Sequence, residues 1–142
     1  MKEANIQRIW DWTRALFTAL GAYIVSFVGG ADALLIALII FMCLDYITGV
    51  VCAVMDRKLS SAVGFRGICR KLLIIALVGV ANVADTSVLS SEGVLRSAVI
   101  CFYLSNEGLS ILENAARAGL PVPGKLRDAL IQLHGREKEE EE

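Results

Sequence analysis

The chain has 142 residues, of which 56 % are hydrophobic and only 20 % charged, and its mean hydropathy is +0.60. A soluble domain sits nearer half apolar and a quarter charged, so this composition points to one small membrane domain with no room for a separate soluble one. The net charge of −1 conceals an acidic tail, EKEEEE over residues 137–142, and the mildly basic remainder is too weakly charged to argue for a nucleic-acid partner.

Residues 1–14 space Ile6, Ile9, Trp10 and Thr13 three or four apart, with Phe17 continuing the row. That spacing predicts a short amphipathic helix in the headgroup layer, anchored by Trp10 and Trp12. Residues 15–28 are apolar but short for a crossing. They fit a thin first span, and the basic start and small residues at Gly29, Gly30 and Ala31 also fit a cleaved signal peptide. Gly29–Gly30 should turn the chain, and Asp32 should cap the next helix.

Residues 34–54, LLIALIIFMCLDYITGVVCAV, are apolar on every side except at Asp45. As a helix they would extend about 31 Å, the thickness of a bilayer's hydrocarbon core. A basic segment, 56–71, follows with Arg57, Lys58, Arg66, Arg70 and Lys71. Two more apolar runs, 72–85 and 94–112, are joined by a short polar connection. Pro121 and Pro123 then end the helical pattern. Leu126, Leu130 and Leu133 line one side of an expected amphipathic C-terminal helix ahead of the acidic tail.

The cations order this layout. Segments 1–14, 56–71 and 113–142 hold 3, 5 and 5 of the 14 Lys and Arg, and only Arg96 remains for the other side. Such asymmetry predicts both termini in the cytoplasm. The fold class expected is therefore an all-α membrane protein of about four transmembrane helices, or three plus an interfacial N-terminal helix. Its parts would be an interfacial segment 1–14, a membrane domain 15–112 and a cytoplasmic segment 113–142.

A carboxylate in the bilayer centre costs at least about 2.5–3.5 kcal/mol, so it must face protein or water. Asp45 shares a stripe with Met42, Thr48, Gly49 and Cys52; the third run aligns Ala76, Gly79, Asn82 and Asp85; the fourth carries Tyr103, Asn106, Glu107, Ser110, Glu113 and Asn114. These faces suit helix packing, by interhelical hydrogen bonds in one bundle or between copies, and they suit the lining of a water path. Asp85 and Arg96 lie near the outer ends, where interface residues are ordinary. The basic segment reads as a snorkelling anchor.

No G-x-S-x-G, H-E-x-x-H or phosphate-binding loop occurs, and His134 is the sole histidine. Cys43, Cys52, Cys69 and Cys101 form no C-x-x-C pair and are expected as free thiols. Neither catalysis nor a metal or cofactor is expected.

Two blocks carry a resemblance. The first places Asp45, Gly49, Arg57, Lys58, Ser60, Ser61, Gly64, Gly67, Arg70 and Lys71 in the order D-x-x-x-G, then R-K-x-S-S-x-x-G and G-x-x-R-K. The second runs from Glu107 through Ser110, Ile111, Leu112 and Asn114 to Gly119, Leu120, Pro121, Pro123 and Leu126. Together they resemble the toxin secretion/phage lysis holin family over roughly residues 34–130. The resemblance implies a homo-oligomer in the bacterial cytoplasmic membrane. It implies lesions through which an endolysin, or in some relatives a toxin, reaches the wall. The residues alone leave two rivals open: a small ion channel or transporter subunit using the same carboxylates, and a membrane scaffold.

Overall fold

A computed structural model describes residues 2–126 and 128. It is helical, and no strand occurs among the described residues. The helices are α1 (Lys2–Phe27), α2 (Ala33–Met55), α3 (Ser61–Ala84) and α4 (Val94–Arg117), with one π-helical turn, Asp85–Leu89, after α3.

Chain chemistry explains the breaks. Gly29 and Gly30 have φ of +83° and +97°, open to glycine at little cost. Asp32 then accepts the Leu35 N–H at 2.9 Å, as expected of an N-cap. Beyond α2 the chain reverses through Arg57, at φ +55°. Past α4, Gly119 at φ +84° ends the helix two residues before Pro121.

Two boundaries differ from expectation. A single helix of 26 residues replaces the surface helix and separate short span at the N-terminus. The polar residues of 1–14 are spaced so that nothing in them stops a helix. α3 begins at Ser61 rather than near residue 72, so Arg66, Arg70 and Lys71 are helical and only 56–60 forms the link. Lys and Arg are good helix formers, and the absence of Pro lets the helix run through the charged stretch. α4 starts at Val94, where the fourth apolar run was expected to start, with Arg96 in its first turn. The expected C-terminal amphipathic helix, with Leu130 and Leu133, falls outside the described residues.

α4 is the hub. It packs most extensively on α2 and next on α3, whereas α2 and α3 barely meet. Leu38, Val78 and Ile100 are fully buried where the three converge, with Val28, Leu35, Met42 and Ile74 around them. α1 touches only α3. Its contact is the Phe27 ring seated on Gly79, where an added Cβ would collide with the ring. Along the rest of α1, Trp10, Trp12, Leu16, Phe17 and Tyr23 are exposed.

Among the described residues two helical stretches, Ala33–Met55 and Gly64–Leu89, are long and apolar enough to cross a membrane. Only 17 % and 28 % of their apolar windows are buried. A soluble protein does not leave apolar faces of that extent in water.

Gly29 tests the α1–α2 corner. An added Cβ would meet the Asn82 side chain and lie 2.8 Å from Arg96 Nε, at a backbone angle unfavourable to L side chains. Gly29→Ala should destabilise the purified protein by about 1–3 kcal/mol, read from its thermal unfolding in detergent.

Candidate functional site

The polar groups of the helices gather into two clusters, one midway along the bundle and one where α3 gives way to α4. Midway along the helices, Lys71 of α3 reaches between α2 and α4. Its Nζ donates to Asp45 Oδ2 at 2.5 Å and forms a second ion pair with Glu107 Oε2. The Lys71, Asp45 and Glu107 side chains are 13 %, 16 % and 6 % exposed. Asn114, one face-length further along α4, extends the network. Its Nδ2 donates to Thr48 Oγ1 at 3.1 Å and to Asp45 Oδ1 at 3.4 Å. The Cys52 thiol donates to the Asn114 carbonyl at 3.2 Å. Gly49 lies against Asn114, and a Cβ there would sit 3.7 Å from Asn114 Nδ2, an ordinary van der Waals contact.

Where α3 gives way to α4, Asp85 is fully buried. It accepts the Leu95 N–H at 3.1 Å, the Arg96 N–H at 2.7 Å and the Ser91 hydroxyl. Gly93, which precedes α4, has no side chain to cap it, so Asp85 supplies the cap from eight residues upstream. Arg96, 6 % exposed, spends its guanidinium on the α1–α2 corner. Nε donates to the Val28 carbonyl at 2.5 Å, Nη1 to Asp32 Oδ2 at 2.6 Å and Nη2 to the Gly30 carbonyl at 3.1 Å. Asn82 adds a bond from Nδ2 to the Phe27 carbonyl at 3.1 Å. The Arg96 hydrogen bond, aided by the Leu35 N–H, holds the Asp32 carboxyl below the usual carboxylate value.

The structure thus joins Asp45, Thr48, Glu107 and Asn114, and separately Asn82, Asp85 and Arg96. Asn106, Ser110 and Glu113 line a cavity of about 600 Å³ with Arg70 and Tyr103, and Asp45 and Glu107 reach its wall as well. Gly64 and Gly67 lie against the Tyr46 ring, each with a hypothetical Cβ at 3.3 Å, so they seat α2 on α3 near the basic link. Arg57, Lys58 and Arg66 stay exposed on that link and the first turns of α3. Sequence reasoning placed Lys71 among the anchors and missed it as the counter-ion of both carboxylates. The available signal was its place at the border of the apolar run 72–85. Among the described residues no group of His, Cys, Asp and Glu could hold a metal ion.

Comparison with known proteins is decisive at this point: the bacteriophage holin family matches residues 22–135. The chain belongs to that family. A protein described as a probable holin of Bacillus phage phi105 is 40 % identical over 109 residues, 77 % of each chain. An uncharacterised 14.9 kDa protein from the nagH 3′ region of Clostridium perfringens is 37 % identical over 131 residues, covering 92 % of this chain and 99 % of its own. YqxH of Bacillus subtilis is 42 % identical over 103 residues, 72 % of each. No solved structure matches this holin chain.

Two outcomes follow from the clusters. Lys71→Met leaves two nearly buried carboxylates without a partner and should cost about 3–5 kcal/mol; adding Asp45→Asn and Glu107→Gln should recover most of it in the same detergent unfolding assay. Asp32 behaves oppositely to a raised base. Its depressed pKa stabilises the fold above the ordinary carboxylate range, and that stability is lost as pH falls through the lower folded value. Thermal melts from about pH 6 to pH 3 should therefore decline more steeply for wild type than for Asp32→Asn.

Proposed function

We propose that the chain is a holin that crosses a bacterial cytoplasmic membrane four times, with both termini inside. Copies associate there and open lesions that release an endolysin to the cell wall. The observation that carries this reading is membership of the holin family, together with 40 % identity to the probable holin of phage phi105. The uneven distribution of cations supports the orientation. The apolar surfaces of α2 and α3, mostly uncovered, support the membrane setting. α1, exposed along its length with its tryptophans near one end, supports a first helix that meets lipid or a second copy rather than its own bundle.

The ion cluster supplies a mechanism. Two carboxylates against one ammonium leave a formal charge of −1 among three packed helices. Before assembly those charges are hidden from lipid by one another. Separation of α2 from α4 would expose Asp45, Glu107 and Asn114 together, on surfaces that then require water. Moving one charge through the membrane field is worth about 2.3 kcal/mol per 100 mV, so a fall in potential can tip a closely balanced assembly.

The test is induction in bacteria that carry a cytoplasmic endolysin. Abrupt lysis supports the holin reading, whereas ion flux without lysis supports a channel and neither supports a scaffold. Asp45→Leu leaves Lys71 and Glu107 as a balanced pair. It should insert normally and delay lysis at equal expression, as read by culture turbidity; unchanged timing would remove Asp45 from the mechanism.

A further inference from the structure

Because α2 and α3 barely meet, space remains between them at the basic end of the bundle. A cavity of about 330 Å³ opens there, and its lining includes Lys58, Arg70, Lys71, Arg117, Gly49 and Gly64. Four cations converge on it, and their states differ. Lys71 is engaged by Asp45 and Glu107, and Arg117 by Asp56 at 2.6 Å. Lys58 and Arg70 form no ion pair with a described carboxylate. The first turn of α3, from which Gly64 faces the cavity, carries no acidic side chain, so its backbone N–H groups add to the positive potential.

The cavity does not end in solvent alone. Tyr46 and Lys71 also line an adjoining groove of about 400 Å³, whose other walls include Ile39, Ile47, Ile68 and Ile75. Ile39 lies two turns before Tyr46 on α2, so the groove runs from the cations toward the middle of the helices, about 10 Å away. A basic cavity that shares Tyr46 and Lys71 with a neighbouring apolar groove is amphipathic in the sense of a phospholipid. An isolated anion would use the first and leave the second empty.

We infer that the headgroup phosphate of an anionic phospholipid binds between α2 and α3 at Lys58 and Arg70, with an acyl chain along the groove past Tyr46. Basic recesses between membrane helices on the cytoplasmic side are suited to such headgroups. This site rests on the membrane reading above. Occupancy ties the 56–60 link to the start of α3, beside Lys71, so bound lipid braces the helix that carries the shared ammonium.

The full chain, purified in a neutral detergent, is titrated with phosphatidylglycerol, with phosphatidylcholine and with inorganic phosphate while its melting temperature is followed. Phosphatidylglycerol should raise the melting temperature at low mole fraction, and the other two should not. Lys58→Gln with Arg70→Gln should weaken that response by about tenfold or more in lipid concentration. Arg57→Gln with Arg66→Gln removes equal charge outside the cavity and should leave it nearly intact. Equal loss in both double variants would mean a diffuse basic surface and overturn the site. An equal shift with inorganic phosphate would overturn the lipid, as would no shift at all. Carbonate extraction of membranes separates the two readings: release of wild type sinks the membrane setting and the lipid site together, whereas retention without a lipid response sinks the lipid site alone.

Discussion

One ammonium held between two carboxylates sets the register of three helices. Lys71 is 26 residues from Asp45 and 36 from Glu107 along the chain, yet it bonds to both. A slide of any one helix by a turn, about 5.4 Å, would break at least one pair inside a region that excludes water. α2 and α3 make few other contacts, so this junction and their common partner α4 hold them in place. A buried ion pair adds little net stability over apolar packing, but breaking one is costly, and that asymmetry makes it a device for register. Leu38, Val78 and Ile100 supply the packing next to it.

The two clusters are built differently. At the Arg96 end every strong donor has a matched acceptor: three guanidinium nitrogens bond to two carbonyls and Asp32, and Asp85 takes two backbone N–H groups and a hydroxyl. That end also holds the contact of α1 with α3, the one packing contact of α1 with another helix among the described residues. Around Lys71 the charges do not balance, and the amide of Asn114 reaches Asp45 at only 3.4 Å. The Lys71 junction thus carries an unmatched formal charge, whereas the Arg96 clasp is matched throughout. The surface pair Arg117–Asp56, with side chains 55 % and 42 % exposed, is too solvated to add much to either.

Local signals were legible and distant pairings were not. The apolar run 34–54, the turn at Gly29–Gly30, the Asp32 cap and the stop before Pro121 each depend on residues a few positions apart, and the sequence displays them. The two blocks of the holin resemblance were equally visible, since ordered motifs need no structure to be compared. The start of α3 was misplaced because a cluster of cations looks the same in a loop and in a helical first turn. Arg96 read as an outer interface residue because its partners, Val28, Gly30 and Asp32, lie 64 to 68 residues away. Asp85 read as an interface residue for a similar reason: a cap supplied from outside its own helix has no spacing rule.

The satisfied state of Asp45 and Glu107 bears on how this bundle can pass anything through a membrane. A fixed cation path needs carboxylate oxygens available to the moving ion, and here a tethered ammonium already occupies both. Lys71 is tied to both in the register that α2, α3 and α4 hold here. A rearrangement that separated these helices would uncover polar faces of α2, α3 and α4 together, which is the change that the proposed function calls for.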